Sequence, residues 1–148
     1  MLRRMSTLAI VLCVLHAPRC WALDNPDAPD YVAEFNARAA PYEQAISERA
    51  GSSGQLGALF ADYEKFLDAE LNKAYRALAQ HLDGSRRQAL LEAQKRWLAF
   101  RDAEFRFIAD NWTVERFGTS STLSRGAYRT SLVKDRTLAL LHYLKNYR

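Results

Sequence analysis

The sequence predicts an all-α fold, an antiparallel bundle of three long helices preceded by one or two short N-terminal helices. Three observations carry it. Apolar residues recur at three- and four-residue steps, the spacing that lines one face of a helix. No stretch alternates apolar and polar residues between turn signals, as a half-buried strand requires. The helical stretches are separated by short polar breaks, which place consecutive helices antiparallel.

Residues 1–22 are set apart from that fold. Arg3 and Arg4 make a basic start, residues 8–15 form an uninterrupted apolar run, and Cys20 and Ala22 occupy the two small-residue positions read by a signal peptidase. The run is well short of the roughly 20 residues that cross a bilayer. These features predict a signal peptide cut before Leu23, hence a periplasmic or secreted protein with no transmembrane segment after removal. A lipid anchor on Cys20 is the alternative, disfavoured by Arg19 where such signals need a small residue. Cys13 and Cys20 are the only cysteines. The remaining chain therefore has no thiol for a disulfide or a thiolate metal site, and neither cofactor nor metal is expected.

Along that remaining chain, residues 23–55 read as an acidic N-terminal segment and residues 56–148 as the helical domain. The segment carries Pro26, Pro29 and Pro41, with Tyr31, Val32, Phe35, Tyr42 and Ile46 as anchors for one or two short helices. Gly51, Ser52, Ser53 and Gly54 form a break. A long helix over residues 56–82 places Phe60, Tyr63, Leu67, Leu71, Ala74, Leu78 and Leu82 on one stripe. Asp83, Gly84 and Ser85 end it and start the next, over residues 86–111, where Leu91, Leu98, Phe105 and Trp112 fall seven apart with Trp97 and Ile108 beside them. Gln94 and Arg101 lie on or next to that apolar face. A polar loop over residues 117–121 bends at Gly118, and a last helix from about residue 123 uses Tyr128, Leu132, Leu140, Tyr143 and Leu144.

Charge is divided unevenly between the two halves. Residues 23–70 hold ten acidic and three basic side chains, a net of −7, whereas residues 71–148 hold fifteen basic and seven acidic ones, a net of +8. Either the halves pair with each other in the folded domain, or an acidic surface meets a cationic partner. Export disfavours nucleic acid as that partner. The basic, aromatic C-terminal stretch with Arg125, Arg129, Lys134, Arg136, Tyr143 and Tyr147 reads first as a solvated basic face.

Four ordered blocks then give the chain a resemblance. Asp68, Glu70, Leu71, Asn72 and Tyr75 read as D-A-E-L-N-x-x-Y, and Gln94, Trp97, Phe100, Arg101, Asp102 and Glu104 read as Q-x-x-W-x-x-F-R-D-A-E. Together with Gly118-Thr119 and the closing Arg136-Thr137 with Leu140, they resemble the LprI-like lysozyme-inhibitor family, small exported helical domains found mainly in bacteria. That family usually has a cysteine directly after its R-D-A-E block and another eight residues before its closing arginine; Phe105 and Tyr128 stand there instead. If the family cysteines form a bridge, the resemblance implies an aromatic contact in its place.

The resemblance implies a binding protein that inhibits lysozyme or a related cell-wall-degrading glycosidase. Alternatives are an envelope-associated helical module without inhibitory activity and an immunity protein against a delivered toxin. Asp27, Asp30 and Glu34 are the acidic residues expected to steer a cationic lysozyme, and Gly118, Thr119, Ser120 and Ser121 the loop expected to enter its cleft. Asp68, Glu70, Asn72, Tyr75, Gln94, Trp97, Arg101, Asp102 and Arg136 are expected to be structural, a polar network in which Arg101 pairs with a carboxylate such as Glu70. Catalysis is not expected. Carboxylates two residues apart do not face one another on a helix, and no histidine stands at metal-ligand or triad spacing.

Overall fold

The structure, a computed structural model, describes residues 29–49 and 53–147. The predicted leader with Cys13 and Cys20, the cut before Leu23, and Asp27 lie outside the described residues. Among these residues there are five helices and no strand: α1 (Tyr31–Glu48), α2 (Ser53–Gln80), α3 (Gly84–Asn111), α4 (Val114–Phe117) and α5 (Ser120–Leu144). The all-α prediction holds.

The expected one or two short N-terminal helices are a single 18-residue helix, α1, in spite of Pro41. Asp30 caps it by accepting a hydrogen bond from the Ala33 backbone N–H at 2.9 Å, and Glu34 in the first turn complements the helix dipole. Pro41 costs one backbone hydrogen bond, but its ring lies on the exposed side. Anchors on both sides of it hold the helix in line. Phe35 and Ala39 are fully buried, and the Tyr42 ring stacks on Phe66 at 4.7 Å and on Tyr63 at 5.6 Å.

Helix α2 begins at Ser53, so the predicted break is shorter than its Gly-Ser composition implies. Its apolar stripe is buried as its spacing predicts, from Leu56 through Phe60, Tyr63, Leu67, Leu71, Ala74 and Leu78 to Leu82 just past the helix end. Arg87 closes that end from the next helix. Its Nε donates to the carbonyls of Ala79 and Leu82, each at 3.0 Å.

Helices α2 and α5 make the most extensive contact in the bundle. They run parallel, since Glu64 meets Arg129 and Phe60 faces Gly126 near one end while Ala74 and Ala77 share a cavity with Leu141 and Leu144 near the other. α1 runs antiparallel to α2, with Tyr42 beside Tyr63 and Arg38 beside Glu70. α3 runs antiparallel to α5, with Gln94 bonded to Arg136 and Trp112 against Tyr128.

Two apolar assignments need correction. On α5 the buried residues are Ser121, Gly126, Thr130, Val133, Thr137, Leu140, Leu141 and Leu144. Tyr128 and Tyr143, expected as anchors, are half-exposed. Small side chains let α5 approach the large residues of α2, and the buried hydroxyls are satisfied locally: Thr130 donates to the Gly126 carbonyl at 2.8 Å and Thr137 to the Val133 carbonyl at 2.9 Å. On α3 only Gln94 and Ile108 are buried, so the stripe of Leu91, Leu98, Phe105 and Trp112 is no core face. α3 packs chiefly on α5, which turns arginines toward it.

Candidate partner-binding site

Between α2, α3 and α5 the motif residues form a ladder of arginines and aromatic rings. Arg101 bonds to Asp102 at 2.7 Å and reaches Asp68 of α2 at 3.5 Å, with its guanidinium 5.8 Å from the Trp97 ring and 5.6 Å from the Phe105 ring. Arg129 lies over the Phe105 ring at 4.2 Å and pairs with Glu64 at 2.7 Å. Arg136 donates to the Gln94 side-chain oxygen at 3.1 Å and lies 5.9 Å from Trp97. Partial burial with no carboxylate contact pulls the Arg136 guanidinium below its usual pKa.

The expected partner of Arg101 is corrected. Glu70 faces the other side of α2, where it pairs with Arg38 of α1 at 2.6 Å, and that hydrogen bond raises the guanidinium pKa. Asn72 does not join the network either; it donates to the carbonyl of Asp68, one turn back on its own helix. Tyr75 packs half-buried against the core.

At one end of the molecule α3, α4 and α5 meet around a chain of aromatic rings. Trp112 contacts Phe107 edge-on at 6.0 Å, Phe117 at 6.4 Å and Tyr128 at 4.6 Å. Phe107, Val114, Phe117 and Tyr128 are each about half exposed, and a cavity of about 280 Å³ opens between α3 and α5 beneath them. The predicted loop is tighter than expected, because α4 and the start of α5 take up most of it. Gly118 turns the chain with φ +56°, a conformation that a side chain disfavours. Ser120 donates to the Phe117 carbonyl at 2.6 Å, and the fully buried Ser121 donates to the Gly118 carbonyl at 2.7 Å. Gly118, Thr119 and Ser120 are exposed.

Comparison of the sequence with known families matches residues 45–140 to the family described as "Lysozyme inhibitor LprI". The chain belongs to the LprI family. No curated protein and no solved structure matches it.

Within this LprI protein Phe105 and Tyr128, expected to form an aromatic contact, do not touch through their rings. Phe105 is approached by two guanidiniums, those of Arg101 and Arg129, and Tyr128 packs at a tilt on Trp112 instead. The expected aromatic contact is thus replaced by two separate ones, each joining α3 to α5. The charge asymmetry resolves inward in part: Glu43 meets Lys134 at 2.7 Å, Glu64 meets Arg129, and Asp68 meets Arg101. Burial opposes ionisation of Glu43, but hydrogen bonds from Lys134 and from Tyr63, at 2.5 Å, outweigh it and hold the carboxyl below its ordinary range. Burial and the same Glu43 bond push the Tyr63 hydroxyl well above its ordinary value.

Asp30 and Glu34 lie far from the Gly118 turn. Glu34 shares a cavity with Leu141 and Leu144 at the far end of α5, roughly 30 Å from Ser121 at about 1.5 Å per residue. Periodicity puts Trp112 and Tyr128 on core stripes and so hides the aromatic end; Phe107 and Phe117, which fit no stripe, are the signal for it.

Proposed function

We propose that this protein inhibits a lysozyme or a related cell-wall-degrading glycosidase by binding it, in the periplasm or outside the cell. The family match over residues 45–140 carries the reading, since the family is one of inhibitors. The motif carboxylates support binding over catalysis. A glycosidase needs one carboxyl to deliver a proton and a second to act as base or nucleophile. Asp68 and Glu70 instead engage arginines of two different neighbouring helices. No helix among the described residues is long and apolar enough to cross a membrane, which accords with release after removal of a leader.

Two surfaces have distinct roles in this reading. Asp30 and Glu34, with Asp27, steer a cationic lysozyme at long range, while Gly118, Thr119 and Ser120, on their buried Ser121 support, belong to the surface that seats in it. Their separation is consistent with that division, because steering needs no contact.

An inhibition assay of the purified protein against lysozymes of several classes tests the proposal. A stoichiometric loss of lytic activity is expected with at least one class, with association slowing as salt rises. Neutralising Asp27, Asp30 and Glu34 together should slow association and leave dissociation nearly unchanged. Full lytic activity of every class at saturating protein overturns the proposal.

A further inference from the structure

The cavity at the α4 end is lined by Phe107, Ile108, Trp112, Tyr128, Ser131 and Leu132, and by two carboxylates, Glu104 of α3 and Asp135 of α5. In a chain whose Glu43, Glu64, Asp68 and Glu70 are each matched to a lysine or arginine, these two make no ion pair or hydrogen bond among the described residues. Ser131 already donates to the Tyr128 carbonyl at 2.9 Å. Two negative charges without a partner therefore face an aromatic floor that is open to solvent.

We propose that this cleft seats a lysine or arginine side chain of a partner protein, with its cation between Glu104 and Asp135 and its stem against Trp112 and Tyr128. This rests on the inhibitor reading for its partner, a cationic lysozyme, and names where that partner is held.

The chemistry fits at each point. A long cationic side chain has an apolar stem that packs on rings and a charged head that gains from a ring face as well as from a carboxylate. Contiguous exposed aromatics mark an interaction surface, and Trp and Tyr are frequent anchors of protein interfaces. Phe117, stacked on Trp112, joins the cleft to the Gly118 turn, so both belong to one face. Two carboxylates can accept hydrogen bonds from sugar hydroxyls, but a cation gains from their charge as well, which makes it the better match. A symmetric pairing of two copies would place these carboxylates against each other, which repels.

The test combines Glu104→Gln with Asp135→Asn in the full protein, beside Asp135→Asn alone, an exposed position that keeps the experiment readable if the double variant misfolds. Binding to the most strongly inhibited lysozyme is followed kinetically, with Asp62→Asn on α2 as control. The double variant is expected to keep the wild-type melting temperature, to dissociate at least about tenfold faster and to inhibit correspondingly less, with the single variant intermediate. The control should match wild type. Wild-type inhibition with unchanged dissociation in both variants overturns the cleft and leaves the inhibitor reading intact.

If wild type inhibits no lysozyme, the inhibitor reading fails and the cleft is read directly by titrating tetralysine and tetra-arginine peptides. Chemical-shift changes at the Trp112 indole and Tyr128 ring, absent in the double variant, then support the cleft. No shift overturns it. Shifts caused by a cell-wall oligosaccharide in place of the peptides also overturn it, as does self-association of wild type that Tyr128→Ala abolishes.

Discussion

Gly126 allows α5 to lie against the ring of Phe60: a Cβ built at that position would stand 2.2 Å from Phe60 Cγ, inside any allowed contact. Gly126→Ala should therefore destabilise the protein by about 1–3 kcal/mol, the usual cost of overpacking, although alanine is the better helix former. Chemical denaturation measures it, and a double-mutant cycle with Phe60→Leu should return part of the loss. Arg101 gives a smaller expectation than its place beside an apolar stripe implies. Its carboxylate partners Asp68 and Asp102 are both about half exposed, so Arg101→Ala leaves neither charge buried. Its loss should cost about 1–2 kcal/mol, from screened ion pairs and ring contacts, in place of the 3–5 kcal/mol of a buried unpaired charge. A measured cost in the upper range would mean that the Trp97 and Phe105 contacts act as a packed unit.

At the scale of elements, α2 and α5 hold the core between them and α3 is the outlying helix. α2 buries apolar residues along its whole length, whereas α3 buries Gln94 and Ile108 and otherwise rests on half-buried side chains. Opening free energy follows local burial, so α3 should open before the α2–α5 pair. Native-state hydrogen exchange should show amides of α3 exchanging faster than those of α2 between Leu67 and Leu78, which approach the global limit. Equal protection in the two helices would show that the arginine–aromatic ladder holds α3 as firmly as apolar packing holds α2. The single helix α1 has the same logic: its two halves share one partner, α2, so Pro41 bends no domain boundary into the chain.

For the whole molecule, the opposite charges of the two halves stabilise the bundle through cross-helix pairs, and this links stability to pH at both ends. Glu43 is held below its ordinary pKa, so its contribution is present above that ordinary value and is lost as pH falls through the folded one. Tyr63 is held above its ordinary pKa of 10.0, so its contribution is complete below that value and declines as pH rises beyond it, where the unfolded tyrosine ionises first. Melting temperature against pH should fall on both sides of neutrality. Glu43→Gln should flatten the acid limb, and Tyr63→Phe the alkaline one. Glu43 is part-exposed and paired with Lys134, so added salt should reduce the acid effect.

The three long helices, the α2 core stripe and the family are legible in the sequence alone. Each of these is written in local order: the three- and four-residue spacing from Leu56 to Leu82 fixes a buried face on one helix, and the Gln94, Trp97 and Arg101 block fixes a motif whoever its neighbours are. Which partner each side chain meets is set by the packing between helices. Asp68 and Glu70 are two residues apart and so point to opposite sides of α2, one toward Arg101 and the other toward Arg38, and a spacing rule cannot choose between arginines of different helices. Small residues were illegible for the same reason: Gly126 is core because Phe60 of α2 stands opposite it, and Thr130 and Thr137 are buried on the same helix. The aromatic end could be placed only when α3, α4 and α5 came together, since Trp112 and Tyr128 look like core anchors until packing leaves Trp112 part-buried among rings and Tyr128 half-exposed. Periodicity records that a face is apolar, and packing decides whether that face is covered.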